Sequence, residues 1–139
     1  MKFREIDNQY LLRLEKGEEL VAVLTGFCAQ HDIKSGWING LGGVQRATLG
    51  YYNLAKQKYV YRRIKDAVEL VSLTGNIAEV DGKPFPHLHA VVSDKNNKAS
   101  GGHVHHVIAG ATIEIRLSVL NEKLERKSDE AVGLRLLDL

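Results

Sequence analysis

The stretch "NIAEVDGKPFPHLHAVVS", residues 76–93, carries the clearest fold signal in this chain. It contains two runs of strand-forming residues separated by Asp81-Gly82, a pair that tolerates the positive φ angles of a two-residue type I′ turn. The stretch therefore predicts a β-hairpin. Its second strand includes His87 and His89.

Residues 18–32, EELVAVLTGFCAQHD, are the only stretch that predicts an amphipathic helix. Its apolar residues follow the helical spacing i, i+3, i+4, i+7, i+8, at Leu20, Val23, Leu24, Phe27 and Cys28. We expect Gly17 to be the N-cap, with the two glutamates of the first turn favourably placed toward the helix dipole. His31, at the far end, is interpreted as a partner of that dipole rather than as a metal ligand.

The sequence after this helix predicts a series of short strands separated by turn residues. The predicted strands are SGWINGL, ATLGYYN, KYVYRRI, VELVSLTGNIAEV, PHLHAVVS, GHVHHVI, ATIEIRLSVL and VGLRLLDL. The fold class is therefore α+β, a mostly antiparallel sheet with one main helix near the N-terminus. We expect residues 1–139 to form a single domain. The charged run 121–130, NEKLERKSDE, is interpreted as a solvated loop without a function.

Composition narrows the function classes. The 139 residues carry a formal net charge of +2, so no overall field favours nucleic acid or an anionic membrane. There is no apolar leader and no run of eighteen apolar residues, which predicts a cytoplasmic protein without a membrane partner. The single Cys28 lies in an apolar stretch, where a buried, inert thiol is expected.

Five of the six histidines lie between residues 86 and 106. His87 and His89 are separated by one residue, so on a strand they share a face, about 7 Å apart along the chain. A hairpin that turns symmetrically about Asn96 would put His103 opposite His89 and His105 opposite His87. Three neutral imidazoles with a fourth position for water are typical of an open Zn²⁺ site, although another divalent transition metal is also compatible.

The fourth position stays open at this point. His105 is one choice in the symmetric register, but a one-residue slip or a bulge at Gly101-Gly102 would replace it with His106. Water is another choice, and so is a strand carboxylate such as Glu69 or Glu114. The alternative to all of these is a set of ordinary strand histidines.

A family resemblance rests on the stretch ELVSLTGNIAEVDGKPFPHLHAVVSDKNNKASGGHV, with SGWINGLGGVQRATLGYYN upstream and TIEIRL downstream. This pattern resembles the PPC domain, the plant and prokaryote conserved domain, whose plant members bind DNA. Its most specific part is the order GN, DG, P, H-x-H and GGH. The resemblance covers nearly the whole chain.

The resemblance implies a homotrimer of α+β subunits with a metal site near the subunit boundary. His87, His89 and His103 match the family's three histidines, whereas His105 and His106 lie outside its pattern. The same fold is implied to be shared with acetolactate decarboxylase, an enzyme whose zinc is held by a similar histidine set. The resemblance thus leaves an enzymatic role open.

The sequence contains two further candidate sites, a basic stretch and a glycine cluster. Residues 56–65, KQKYVYRRIK, interleave tyrosines with the basic residues Lys56, Lys58, Arg62, Arg63 and Lys65. This set is a candidate phosphate-contacting surface, but positive charge also protects exposed strand edges, and the plant AT-hook is absent. The Gly40–Gly43 cluster lacks the third glycine of a dinucleotide loop, and we expect a tight turn there.

Two functions follow from the sequence. The first is a metal-containing PPC protein with a DNA-binding or regulatory role, in which specific DNA binding by this chain is weak or absent. The second is a zinc enzyme, a decarboxylase or hydrolase, that binds a small molecule at the same three histidines. The form of the fourth coordination position distinguishes them.

Overall fold

A computed structural model describes the whole chain, Met1–Leu139. It contains one α-helix, α1 (Leu20–Gln30), between two N-terminal strands and seven later ones. The strands are β1 (Lys2–Ile6), β2 (Gln9–Glu15), β3 (Gly36–Asn53), β4 (Lys58–Ile64), β5 (Val68–Val80), β6 (Lys83–Ser93), β7 (Ala99–Val119), β8 (Arg126–Asp129) and β9 (Leu134–Leu137). The predicted α+β class with one main helix is confirmed.

Seven strands form one antiparallel sheet in the order β1-β2-β7-β6-β5-β3-β4. Strand β3 also pairs with β7, so β7, β6, β5 and β3 form a closed cycle of pairings. The Asp81-Gly82 hairpin is confirmed: Val80 pairs with Lys83, and both turn residues have positive φ. Strands β8 and β9 form a separate two-stranded hairpin.

The hydrophobic core lies between α1 and one face of the sheet, which we call the inner face. A cluster of 23 buried residues joins α1 to strands β2, β3, β5, β6 and β7. Along β6, Leu88, Ala90 and Val92 are buried on this face, whereas His87 and His89 alternate with them and point to the outer face. Alternation on one strand therefore assigns the histidines to the side away from the core.

The helix begins later than expected. Its N-cap is Glu19, whose carboxylate accepts a hydrogen bond from the Ala22 amide at 2.6 Å, so the expectation for Gly17 was wrong. The Glu19 side chain also accepts from the Val107 amide at 3.2 Å, which ties the start of α1 to β7. A side-chain cap that also bonds a neighbouring strand explains why the helix starts at Leu20.

Two predicted strand boundaries do not exist in the structure. SGWINGL and ATLGYYN belong to one strand, β3, and GHVHHVI and ATIEIRLSVL belong to β7. No turn occurs at Gly40–Gly43; the strand continues through irregular register on both sides of Gly42. Gly42 has φ +150°, and a Cβ there would lie 2.2 Å from the Thr112 carbonyl oxygen. This glycine permits close strand approach rather than a change of direction.

Two further segments differ from the sequence expectation. The N-terminal hairpin of β1 and β2 was not predicted, and the charged run 121–130 contains β8 rather than only a solvated loop. Lys123 in that run pairs with the buried carboxylate of Glu79 at 3.1 Å, and Arg126 packs toward the histidines. No helix has the length and apolarity needed to span a membrane.

Candidate metal centre

Strands β6 and β7 bring His87, His89 and His103 together on the outer face. His89 is directly opposite His103 in the β6–β7 register, as the symmetric turn about Asn96 predicts. One potential ligand nitrogen from each of the three lies within 4.8 Å of the others. The ring centroids are 5.3–5.5 Å apart.

The turn between β6 and β7 fixes this register. Asp94 accepts hydrogen bonds from the amides of Asn96 and Lys98, each at 2.9 Å. Asn97 has φ +58°, a left-handed conformation that asparagine tolerates better than most residues. These local bonds hold the five-residue connection, so the histidine on the returning strand faces His89.

His105 and His106 lie outside the group of three. In the β3–β7 pairing Thr48 is opposite His106 and Leu49 is opposite Val104, which leaves His105 as the extra residue of a bulge. The His105 ring is exposed and lies 4.6 Å from the ring of Tyr61. The His106 Nδ1 atom lies 3.5 Å from the Glu19 carboxylate. The bulge is thus at His105, not at Gly101-Gly102.

The two strand carboxylates considered as a fourth ligand are not part of the cluster. Glu69 lines a different cavity together with Ser93 and Asp94. Glu114 is paired across the strands with Leu41 and lines a cavity near the N-terminal hairpin. The group of potential ligands contains only the three histidines.

The charged side chain of Arg126, in β8, contacts the histidine cluster directly. Its Nη2 donates to the Asn76 side-chain oxygen at 2.8 Å and contacts the His87 Nδ1 at 3.1 Å. Its Nη1 donates to the Arg135 carbonyl at 3.1 Å, and its guanidinium carbon lies 5.9 Å from the Phe85 ring centroid. The β8–β9 hairpin therefore lies against the outer face next to His87.

The local environment keeps two of the imidazoles uncharged. Burial lowers the pKa of His87 to about 4, with further lowering by the charge of Arg126 and by the other two histidines. Burial is also the main reason that the pKa of His103 is lowered to about 4. The charges of His89, His105 and Arg126 lower this pKa further. Neutral imidazoles present the lone pair that a metal requires.

The residues present fit a zinc ion. Three neutral nitrogens are a donor set that Zn²⁺ favours, and the His103 Nδ1 is buried without a hydrogen-bond partner. Ligand nitrogens on a tetrahedral zinc are about 3.4 Å apart, as follows from Zn–N bonds of about 2.0–2.1 Å. The observed limit of 4.8 Å requires the ligand nitrogens to approach one another by up to about 1.4 Å, which small side-chain rotations can supply.

A cavity of about 480 Å³ opens beside the cluster. Its walls come from the sheet and from the β8–β9 hairpin, and they include Tyr59, Phe85, His87, His103, Arg126 and Arg135. The Tyr59 ring stacks on His103 with 4.8 Å between centroids. A small molecule in this cavity would lie next to two of the three imidazoles.

Sequence reasoning missed Arg126, Asn76 and Tyr59 as site residues. Asn76 is within the GN pair of the family pattern and is directly opposite His87, which is the one available signal. Tyr59 lies in the basic stretch 56–65, and the sequence pattern there indicates a nucleic-acid surface rather than a metal site. Arg126 has no local signal, because its role depends on how β8 and β9 fold back onto the sheet.

The basic stretch lies at an edge of the sheet. Strand β4 is the last strand in the order, so the alternative interpretation of an exposed edge is confirmed. All five basic residues are exposed: Lys56, Lys58, Arg62, Arg63 and Lys65. Arg62 and Arg63 are adjacent on the strand and point to opposite faces, so the set does not form one continuous surface.

Similarity to known proteins defines the class of this chain. The profile of the Plants and Prokaryotes Conserved (PCC) domain matches residues 1–121. The matched region contains strands β1–β7 and all three histidines of the cluster. The chain belongs to this family, which is the one that the sequence resemblance predicts under the name PPC. The matched region ends before β8.

Three solved structures are similar over nearly the whole chain. A metal-containing protein from Archaeoglobus fulgidus is 34% identical, with a TM-score of 0.87, covering 98% of both chains. The PPC protein of Pyrococcus horikoshii is 31% identical, with a TM-score of 0.89, covering 99% of this chain and 95% of that one. A candidate DNA-binding protein from Bacteroides thetaiotaomicron is 28% identical, with a TM-score of 0.95, covering 99% and 96%.

Two more distant similarities complete the comparison. The Bifunctional protein GlmU of Synechococcus sp. (strain JA-3-3Ab) is 32% identical over 127 residues, and the match covers 89% of this chain. The chain spans about a fifth of that relative, 19% of its length. A Staphylococcus aureus protein described as similar to alpha-acetolactate decarboxylase is 11% identical, with a TM-score of 0.59 over 87% of this chain and 54% of that one. That similarity confirms the shared fold alone.

Proposed function

We propose that this chain is a metal-binding PCC-domain module in which His87, His89 and His103 bind one Zn²⁺ ion. The observation that carries the proposal is the convergence of three imidazole nitrogens within 4.8 Å, two of them on residues whose pKa is lowered to about 4. The metal-containing protein of A. fulgidus, 34% identical, gives further support. A bound zinc would supply a link between β6 and β7 and a Lewis acid at the cavity.

The chain's own residues define what that site can do. Tyr59 packs against His103 and limits the rotation of its ring. Arg126 and the Phe85 ring form a cationic and apolar wall beside His87. The third histidine, His89, is exposed on the outer face, so the side of the site formed by that residue is open to a neighbouring molecule.

We propose self-association into a homotrimer and a single domain for residues 1–139. The single domain is supported by one hydrophobic cluster that joins the helix to five strands. The trimer is supported by the family membership and by apolar side chains on the outer face, where Leu11, Trp37 and Leu41 are about half exposed. These residues and His89 share the outer face, so covering this face would bring a second subunit close to the site.

For DNA we propose a weak, sequence-independent interaction at most. The candidate DNA-binding protein of B. thetaiotaomicron supports testing for it, but the net charge here is only +2 and the basic residues of β4 are split between two faces. A gel shift at physiological salt should give no sequence-specific complex at nanomolar protein. A specific nanomolar complex that is lost in an Arg62→Gln/Arg63→Gln variant would contradict this expectation.

A zinc enzyme is the second candidate function. The cavity of about 480 Å³ beside His87 and His103 favours this function. A small substrate in that cavity would lie next to a metal bound by these histidines. The candidate reaction is decarboxylation or hydrolysis of a small molecule, with zinc as the electrophile. Saturable, zinc-dependent binding of small carboxylic acids would favour this role over a purely structural metal.

The test combines native mass spectrometry with metal analysis of the purified chain. The expected result is a mass of about three times 15.5 kDa with one zinc per chain. His89→Ala should remove the zinc, because it removes one of three ligands, whereas His31→Ala should leave it unchanged. His31 is a matched control since it packs among Phe3, Tyr10 and Phe27, away from the site. A wild-type chain that takes up no zinc on titration would contradict the proposal.

A further inference from the structure

The positively charged side chain of Arg126 lies directly beside the proposed metal site, in contact with His87. Its side chain is held at three points, by the Asn76 oxygen, the His87 Nδ1 and the Arg135 carbonyl. Two of these bonds come from one nitrogen, Nη2, which donates one hydrogen to Asn76 and directs the other at His87. A positive charge is thus fixed against one of the three proposed zinc ligands.

The hydrogen-bonding capacity of the two groups determines the proton positions. Guanidinium has only donors, so the His87 Nδ1 must be the acceptor. A neutral imidazole has one lone pair, and here that lone pair is used by Arg126. The proton of His87 is therefore on Nε2, and neither ring nitrogen is free to bind a metal.

Exchanging the two nitrogens does not remove the conflict. If Nε2 were freed for a metal, Nδ1 would carry the proton and would face the Nη2 hydrogen of Arg126, donor against donor. If Nδ1 bound the metal, the ion would take the place of the guanidinium. In both cases Arg126 has to withdraw from its present position before His87 can bind.

We propose that Arg126 and a divalent metal compete for the His87 imidazole, so that Arg126 sets the metal affinity of the site. This inference rests on the proposed function of the three histidines. Charge acts in the same direction, because a guanidinium and a dication repel each other in a half-buried site that solvent screens poorly. The Arg126 Nε is buried without a partner, so the metal-free position of the side chain is itself incompletely satisfied.

The competition makes metal binding and the β8–β9 hairpin interdependent. Arg126 is the first residue of β8, and its Nη1 bond to the Arg135 carbonyl spans the hairpin. A metal that displaces the guanidinium from His87 changes the contact between this hairpin and the sheet. Arg126 is therefore a positioning residue, since it acts on the metal through His87.

The first test compares zinc affinity in metal-free wild type and Arg126→Met, by competition with a chromophoric chelator. Methionine keeps the unbranched apolar stem of the side chain but removes the guanidinium group with its donors and charge. We expect Arg126→Met to bind zinc about tenfold to a hundredfold more tightly, the range of a hydrogen bond to a charged group. Unchanged or weaker binding by the variant would overturn the competition.

Arg135→Met is the matched control. Arg135 lines the same cavity and carries the same charge, but its side chain pairs with Asp81 at 3.2 Å and reaches Arg126 only through its main-chain carbonyl. We expect its zinc affinity to stay within about twofold of wild type, as for an exposed charge. A tightening equal to that of Arg126→Met would assign the effect to general charge and would overturn the specific role of Arg126.

A second measurement needs no variant. In the ¹⁵N spectrum of metal-free wild type, His87 should be the Nε2–H tautomer, and added zinc should abolish that state. A His87 that is protonated on Nδ1 in the metal-free chain would overturn the inference even if zinc binds. If neither wild type nor Arg126→Met binds zinc, the proposed metal site itself fails and the competition with it; equal affinities contradict only the competition.

Discussion

The inner and outer faces of the sheet are formed by the same strands, but they differ in how far their residues can be predicted from the local sequence. The inner face depends on alternation that is visible in the sequence, and Leu88 and Ala90 are buried there against the core cluster. The outer face carries His87 and His89 from the same strand, but it becomes a site only when β7 and β8 contribute His103 and Arg126. Local patterns therefore specify the core, and long-range contacts specify the site.

The largest expected effect is in the core. Leu88→Ala should reduce the free energy of unfolding by about 2–5 kcal/mol, because it leaves a cavity where a 1% exposed side chain is closely packed. The measurement is urea denaturation of the metal-free protein. His89→Ala is the matched control on the outer face and should cost less than about 1 kcal/mol. Equal losses for the two variants would contradict the distinction between the faces.

The sequence predicts which residues form the inner face, but it does not predict that pairs of short predicted strands are continuous in β3 and β7. Helix α1 and the Asp81-Gly82 hairpin were predictable because their signals lie within a few residues of one another. The continuity of β3 was not, because Gly40–Gly43 resembles a turn by composition, whereas Gly42 actually permits close approach to β7. A glycine's role depends on the strand beside it, which composition does not specify.

The candidate site could also be predicted only in part: the sequence indicates its three histidines but not Arg126. His87 and His89 follow from strand periodicity, and His103 follows from a turn centred on Asn96 that does form. Arg126 could not be predicted, because 22 residues of strand and turn separate it from His103 and β8 returns to the sheet only through tertiary contacts. The charged composition around it resembles ordinary exposed surface.

We expect the pH dependence of stability to arise mainly from two histidines on the outer face, His87 and His103. Burial lowers the pKa of His87 and of His103 from 6.5 to about 4, so between these values the unfolded chain binds more protons than the folded one. Stability of the metal-free protein should therefore decrease as pH falls from about 6.5 toward 4. Urea midpoints measured between pH 5.5 and 6.5 test this, because ordinary carboxylates with pKa values of about 3.9–4.3 are almost fully ionised there.

A double variant, His87→Gln/His103→Gln, provides the control for that measurement. It removes both titrating groups, so most of the slope of stability against pH in this window should disappear. The Leu88→Ala variant should keep the slope, since it changes only the inner face. A slope that persists in the double variant would contradict the assignment to these two histidines.

A smaller effect is expected at the junction of helix and sheet. Glu19→Ala should cost about 0.5–2 kcal/mol, because it removes the helix N-cap. It also removes the acceptor for the Val107 amide, so a value in the upper part of that range is expected. Thermal unfolding provides the measurement. Glu19→Gln retains an acceptor oxygen and should lose less; an equal loss in both variants would indicate that the charge, not the cap, matters.

The smallest expected effect tests whether closeness in sequence or in space defines the site. His105 is two residues from His103, whereas the bulge at His105 places its ring against Tyr61 and outside the group of three. His105→Ala should therefore change zinc affinity by less than about twofold. His103→Ala should lower it by at least about a hundredfold, because a ligand contributes more than an outer-shell partner. Chelator competition measures both, and a large loss for His105→Ala would identify that residue as the fourth ligand.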